Sequence, residues 1–205
     1  MMRSLITAAV LATVVLTSTA RAATLQTAVF AGGCFWGVEA VFEHVKGVKS
    51  VVSGYVGGTV VNPDYETVTS GRTGHAEAVK VTFDPAVVSY ETLLAVFFTV
   101  AHNPTELNRQ GPDVGTQYRS AIFFANAEQQ KSATTVIAQL TQAKVFPRPI
   151  VTQVASLSKF YDAETYHQNY LYSHTDQPYI VYNDLPKIDA LKKQYPALWE
   201  KTQGK

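Results

Sequence analysis

The sequence predicts an α/β fold of the α+β kind, in which a ferredoxin-like split βαβ sheet is covered by helices. Two observations support this fold class. Strand-like and helix-like segments alternate as strand-helix-strand twice between residues 27 and 125. No internal repeat, low-complexity tract or linker interrupts the chain, so we expect a single domain.

The first strand-helix-strand unit begins at Thr27. Residues Thr27–Ala31 are short, apolar and followed by two glycines, as expected for a buried strand. A helix beginning at Cys34 follows, and Val48–Tyr55 is the second strand. The predicted helix has one apolar face at a spacing of three and four residues, formed by Val38, Val41, Phe42 and Val45.

The second unit begins with Ala76–Phe83, where apolar residues alternate with Lys80 and Thr82 as in a half-buried strand. Ser89 is a suitable N-cap for the helix that follows, and Ser120–Ala125 is the closing strand. The pattern beyond it predicts a helix capped by Asn126 and ending at Ala143, a strand at Ile150–Ala155 and a helix at Asp162–Leu171.

Residues 1–23 have the features of a cleaved signal peptide. Arg3 precedes an apolar stretch too short to span a bilayer, and Ala20-Arg21-Ala22 matches a cleavage site. We therefore expect an exported protein, periplasmic or secreted, whose mature chain begins near Ala23. An uncleaved leader that anchors the protein is the alternative.

The mature chain, residues 24–205, is predicted to form one catalytic domain with a core at about 28–171 and a C-terminal extension at 172–205. The whole sequence has 17 basic and 16 acidic residues, and the leader holds two of the basic ones and no acid. A net charge close to zero gives no reason to expect binding to nucleic acid or to an anionic membrane.

Cys34 is the only cysteine of the chain, so it forms neither an internal disulfide nor a cysteine-rich metal site. It lies where a strand-like segment meets a helix-like one. Because a helix N-terminus presents unpaired N–H groups and a positive dipole end, this position is expected to favour the thiolate. A buried inert thiol or a nucleophile both fit, and a lone cysteine in an exported protein favours the nucleophile.

Further candidate functional residues lie next to Cys34 and in or beside two long loops, 56–75 and 101–118. Phe35 and Trp36 have the size to wall a pocket for an apolar group. Glu77 stands between two alanines, and a carboxyl group in apolar surroundings keeps its proton and serves as a general acid. Tyr65 and Tyr118 offer phenol donors.

Three runs, in this order and spacing, resemble the A-type peptide methionine sulfoxide reductases. They are GCFWG at 33–37, GHAEAV at 74–79 and RQGPDVGTQYRS at 109–120. The resemblance extends from about Ala28 to Leu171 and implies reduction of methionine S-sulfoxide, free or in proteins, to methionine.

The resemblance also implies a role for each matching residue. Cys34 corresponds to the nucleophile, which becomes a sulfenic acid. Phe35 and Trp36 correspond to the walls that hold the substrate methyl group.

On the oxygen side, Glu77 corresponds to the acid that protonates the sulfoxide, and Tyr65 and Tyr118 to the phenols that bind its oxygen. Asp113 corresponds to a carboxylate of the substrate site.

The chain departs from this family at two points. Asn103 follows His102 where members often carry an aspartate, and no further cysteine is present to reduce the oxidised nucleophile. We therefore expect an external thiol reductant, a thioredoxin-like protein or a small thiol, with no bound cofactor and no metal. A monomer that repairs oxidised exported proteins is the overall expectation.

Two alternatives stay open at this point. One is an exported cysteine hydrolase in which Cys34 pairs with His75, His102 or His167. The other is a peptide-binding module whose aromatic pocket performs no chemistry. Acyl-enzyme formation would identify the hydrolase, and full function without the Cys34 sulfur would identify the binding module.

Overall fold

The computed structural model describes residues 24–201. The predicted signal peptide, residues 1–23, lies outside the described residues, as do residues 202–205. None of the helices between residues 24 and 201 has the length and apolar character needed to cross a membrane.

The first half of the fold follows the predicted order closely. Its elements are β1 (Gln26–Gly32), α1 (Phe35–Glu43), β2 (Val48–Val56), α2 (Tyr65–Thr69), β3 (Ala76–Phe83) and α3 (Tyr90–Val96), which continues as a π-helical turn at Phe97–Ala101. As predicted, the Ser89 side chain caps α3 by accepting a hydrogen bond from the backbone N–H of Thr92 at 3.1 Å.

The second half contains shorter elements. They are β4 (Arg109–Gln110), β5 (Asp113–Val114), a 3-10 turn (Thr116–Tyr118), β6 (Ser120–Phe124), α4 (Ala127–Gln142), β7 (Gln153–Ser156), β8 (Tyr161–Asp162), a 3-10 turn (Thr165–His167), α5 (Tyr170–Ser173), a π-helical turn (Ile180–Asp184) and α6 (Leu185–Gln194). The two long loops thus carry short elements of their own: α2 in the first, and β4, β5 and a 3-10 turn in the second.

The main sheet confirms the predicted fold class. Its six strands lie in the order β7-β6-β1-β3-β2-β8. The four central strands, β6-β1-β3-β2, are antiparallel throughout, which is the strand order of a split βαβ sheet. β7 adds in parallel to β6, and β8 pairs with the opposite edge.

The two faces of the sheet are covered differently. On one face Phe30 of β1 stacks on Phe42 of α1 at 5.2 Å and on Phe97 after α3 at 4.9 Å, within the main core. On the other face Val29 and Ala31 of β1 and the alanines of β3 and β6 pack against partly buried residues of the 155–160 segment. The alternation along β1 is the period of two that a strand imposes on its side chains.

The prediction of a helix over Asp162–Leu171 is wrong. The segment begins as the edge strand β8 and then forms a 3-10 turn. The side chain of Gln168 accepts from the backbone N–H of Ser53 at 2.9 Å and donates to its carbonyl at 3.0 Å. The backbone N–H of Ala163 also donates to the Ser53 carbonyl at 2.8 Å, and Tyr161 and Asp162 pair with β2. Because the start of the segment uses its backbone groups in the sheet, it does not begin a continuous helix.

Candidate active site

Cys34 occupies the N-cap position of α1, directly after β1 and the Gly32-Gly33 pair. Gly33 has φ +92°, and a Cβ atom there would lie 2.6 Å from the side chain of Gln110. A glycine is thus required for the sharp turn that delivers Cys34 to the helix. The cysteine side chain is only 8% exposed.

The expectation that Cys34 favours the thiolate is wrong. Burial raises the pKa of the Cys34 thiol well above its ordinary value, and the negative charges of Glu77 and Asp184 raise it further. A hydrogen bond from the Trp36 backbone and the charge of Lys187 lower it by smaller amounts. The helix N-terminus is therefore outweighed by desolvation.

Glu77 lies in β3 opposite Tyr55 of β2 and is 1% exposed. Its Oε2 accepts a hydrogen bond from the backbone N–H of Phe35 at 3.1 Å, which places the carboxyl beside the residue that follows Cys34. Burial raises the pKa of Glu77 to about 8, although the Phe35 N–H acts in the opposite direction. At neutral pH this side chain is thus a neutral carboxylic acid.

Phe35 and Trp36 are held by other rings. Phe35 is buried, with its ring centroid 5.1 Å from that of His167. Trp36 is half-buried, stacks on Tyr170 at 3.8 Å and donates its indole N–H to Nδ1 of His167 at 3.1 Å. The supporting role of His167 and Tyr170 was not evident from the sequence, because no local pattern connects them with α1.

The backbone of Tyr65 is held in position by two acidic residues, Asp64 and Glu164. Tyr65 is the first residue of α2, which Asp64 caps, and its backbone N–H donates to Oε1 of Glu164 at 2.8 Å. The other oxygen of Glu164 accepts from the phenol of Tyr55 at 2.8 Å. Burial, followed by the charges of Glu77 and Cys34, raises the pKa of Tyr65 to about 12, so its phenol stays a donor.

Tyr118 closes the 3-10 turn immediately before β6. Burial raises its pKa above the ordinary value, and the charges of Glu77, Tyr65, Asp113 and Cys34 act in the same direction. The two predicted phenols, the predicted acid and the cysteine therefore share one electrostatic environment.

Asp113 and Cys34 both line a cavity of about 380 Å³. Asp113 accepts a hydrogen bond from the phenol of Tyr179, which, with Asn183 and Lys187, also lines the cavity. These three residues belong to the C-terminal extension, 172–205, in which the sequence predicted no site residue. A larger cavity, of about 810 Å³, lies between α3 and α4 and contains none of the predicted site residues.

Of the three histidines considered as a hydrolase base, His102 and His75 have both ring nitrogens within hydrogen-bond distance of groups other than Cys34, and Nδ1 of His167 accepts the indole N–H of Trp36. The Nδ1–H of His102 donates a hydrogen bond to the Phe97 carbonyl at 2.9 Å. The other ring nitrogen, Nε2, therefore has no proton and accepts a hydrogen bond from the Ser120 hydroxyl at 2.6 Å. His75 likewise has both ring nitrogens within hydrogen-bond distance of loop backbone, 3.1 Å from the Gly58 nitrogen and 2.8 Å from the Val60 carbonyl. No group of three or more His, Cys, Asp or Glu side chains suited to a metal occurs within residues 24–201.

Comparison with known proteins gives a direct result. The family model for peptide methionine sulfoxide reductase matches residues 26–199. The MsrA 2 protein of Mesorhizobium japonicum, a peptide methionine sulfoxide reductase, is 58% identical over 174 residues, which are 85% of this chain and 89% of that protein.

Solved structures agree with this result. Mxr1 of Saccharomyces cerevisiae in its reduced form has a TM-score of 0.69 and 31% identity, over 74% of this chain and 87% of that one. The structure of Mxr1 in complex with Trx2 has a TM-score of 0.51 and 22% identity, over 76% of this chain and 94% of that one, and supports the fold alone.

The matches confirm the resemblance that the three motifs indicated, and they decide against both the hydrolase and the binding module. The family model spans nearly the whole described chain, including the C-terminal residues that line the cavity. The chain belongs to the peptide methionine sulfoxide reductase family, type A, and is an oxidoreductase that reduces methionine sulfoxide.

Proposed function

We propose that Cys34 attacks the sulfur of a methionine S-sulfoxide, in a free amino acid or in a protein, and takes over its oxygen. The Cys34 thiol loses its proton and its sulfur bonds to the substrate sulfur. The sulfur–oxygen bond of the sulfoxide then breaks as the oxygen passes to Cys34, and the new sulfur–sulfur bond breaks as methionine leaves. Cys34 becomes a sulfenic acid, so the thiol is oxidised by the two electrons that reduce the sulfoxide. The protons balance because the proton that the Cys34 thiol loses replaces the proton that the acid delivers to the sulfoxide oxygen.

The observation that supports this proposal most strongly is the hydrogen bond from Phe35 N–H to Glu77. It places a carboxyl with a pKa of about 8 beside the nucleophile, so a proton is available at neutral pH. Protonating the sulfoxide oxygen makes the substrate sulfur more electrophilic, and general acid catalysis of this kind contributes roughly 10²–10⁴ in rate.

Other predicted residues complete the proposed site. Tyr65 and Tyr118 keep their phenol protons and donate to the same oxygen as negative charge develops on it. Phe35 and Trp36 hold the methyl group, and Asp113 binds the polar part of the substrate.

The sulfenic acid then requires an external reductant, because the chain has no second cysteine. One thiol attacks Cys34 and releases water, and a second thiol resolves the mixed disulfide and restores the Cys34 thiol. A thioredoxin-like protein suits both steps, and a small thiol is the alternative. Yeast Mxr1, which this fold resembles, has been solved in complex with Trx2.

Single turnover tests the chemistry. Without reductant, the S epimer should yield one equivalent of methionine per protein, and the R epimer should yield none. Mass spectrometry of the protein should then show one added oxygen atom on the peptide that contains Cys34. The Cys34→Ser variant is the matched control and should release no methionine.

Two results would contradict the proposal. Release of methionine by Cys34→Ser would exclude the sulfur as nucleophile, and turnover that adds no oxygen to the protein would exclude the sulfenic acid.

We further propose that residues 1–23 direct export and are removed, so that residues 24–205, one catalytic domain and a monomer, repair oxidised exported proteins. The support is Arg3, the apolar stretch after it and the Ala20-Arg21-Ala22 site. N-terminal sequencing of the cell-envelope or secreted fraction should find a chain that begins near Ala23, and size-exclusion chromatography should give the mass of one chain. A protein retained in the cytoplasm at full length would contradict the export proposal.

A further inference from the structure

The last glycine of the GCFWG run, Gly37, lies against the C-terminal segment. A Cβ atom at Gly37 would be 2.0 Å from Oδ1 of Asp184 and 2.9 Å from Nζ of Lys187. A carboxylate and an ammonium group therefore touch the first turn of α1, three residues from Cys34. Only a residue without a side chain leaves room for them.

Asp184 and Lys187 form an ion pair with 3.0 Å between Oδ1 and Nζ. The Asp184 side chain is fully buried, whereas that of Lys187 is 23% exposed. A buried carboxylate is strongly destabilising unless a positive group accompanies it, so the aspartate holds the ammonium in place. The ammonium also lines the 380 Å³ cavity together with Cys34 and Asp113.

The groups that act on the sulfur from the surrounding elements are mainly acidic. Glu77 belongs to β3, and Asp184 precedes α6. The phenols Tyr65, Tyr118 and Tyr179 add no positive charge, and burial lowers the pKa of His102 to about 3, which keeps that imidazole neutral. Among residues 24–201, Lys187 is the positive side chain that acts on Cys34. Burial raises the pKa values of Asp113 and Asp184, and the charge of Lys187 acts in the opposite direction.

We propose that Lys187, fixed by Asp184 against the first turn of α1, is a positioning residue that stabilises the thiolate of Cys34. The proposal rests on the proposed role of Cys34 as nucleophile. Because Cys34 and Asp184 are buried, the interaction between charges around them is stronger than in bulk solvent, so one ammonium offsets part of the acidic surroundings. Asp184 has two opposite effects: it places the ammonium, and its own charge disfavours the thiolate.

The test measures the thiolate directly. Because Cys34 is the sole cysteine, the pH dependence of alkylation by iodoacetamide reports on this sulfur alone. Lys187→Met should move the midpoint to higher pH and slow alkylation below the midpoint by roughly 3- to 10-fold, since an opposite charge nearby shifts a pKa by about a unit. Lys187→Arg should stay close to the wild type, as should Lys193→Met, an exposed position on the same helix.

A variant of Asp184, the ion-pair partner of Lys187, separates the effect of charge on the midpoint from an effect of altered packing. Asp184→Asn should move the midpoint the other way, to lower pH, because it removes a negative charge while its amide oxygen still accepts a hydrogen bond from the Lys187 ammonium. A loss of packing would move both variants in one direction. Circular dichroism confirms that each variant is folded, and Lys187→Gln takes the place of Lys187→Met if the methionine variant does not fold.

An unchanged midpoint in folded Lys187→Met, or a shift of both variants in the same direction, would overturn the proposal. Alkylation requires no sulfoxide, so its outcome is independent of whether Cys34 performs the proposed reduction.

Discussion

The proton on Glu77 depends on where the residue lies and not on its type. A glutamate in water is ionised at neutral pH, whereas burial raises the pKa of Glu77 to about 8. The two alanines beside Glu77 in the sequence indicated this environment correctly. The same burial acts against Cys34 and raises its thiol pKa, which no local feature of the GCFWG run announces. Desolvation favours the neutral form of each acid, so one environment prepares the proton donor and suppresses the resting thiolate.

We expect Glu77→Gln to lower the rate of sulfoxide reduction in single turnover by roughly 10²–10⁴, because the amide cannot protonate the oxygen. The acid acts only while it holds its proton, so its contribution is present below a pH of about 8 and is lost above it. The ratio of the wild-type rate to the variant rate should therefore fall as the pH rises past 8. A constant ratio across this range would show that Glu77 is not the acid.

At the scale of the elements, α1 combines two functions. Its N-terminus carries Cys34, and its first turn receives the C-terminal segment at Gly37. The apolar spacing of α1 predicted the helix and its buried face correctly, because periodicity is a local property. The prediction of a helix at Asp162–Leu171 is wrong because the backbone at the start of this segment pairs with β2, a strand far away in the chain.

We expect Gly37→Ala to destabilise the protein by about 1–3 kcal/mol, the usual effect of overpacking, because the new methyl group would overlap the Asp184 carboxylate. Urea unfolding measures the change. The double variant Gly37→Ala/Asp184→Ala relieves the overlap, so its loss of stability should be smaller than the sum of the two single losses. Additive losses would show that the two side chains do not compete for the same space.

At the scale of the whole molecule, the fold buries a second acid outside the site. Glu39 of α1 accepts a hydrogen bond from the backbone N–H of Asn169 at 3.1 Å. Burial, together with the nearby charge of Glu43, raises the pKa of Glu39 to about 8. An acid with a higher pKa in the folded chain than in the unfolded one stabilises the fold at low pH. That contribution falls as the pH rises from the unfolded value through the folded one.

We therefore expect the free energy of unfolding to fall between about pH 5 and pH 8, and Glu39→Gln to remove part of this dependence, on the order of 2–3 kcal/mol. Glu77 retains its own share in the variant. Urea unfolding at several pH values measures the slope, and Asp189→Asn, an exposed change on α6, should leave it unaltered. A slope that is the same in Glu39→Gln and in the wild type would contradict the assignment.

The sequence by itself determined the order of the elements as far as β6, the split βαβ sheet and the family, since these follow from periodicity and from motifs contained in short runs. Only the tertiary structure decided that Tyr179, Asn183 and Lys187 reach the cavity of Cys34 and that burial raises the pKa of its thiol. The physical reason is that burial and electric field are sums over neighbours in space. Cys34 and Lys187 become such neighbours only when the end of the chain packs on the helix near its beginning.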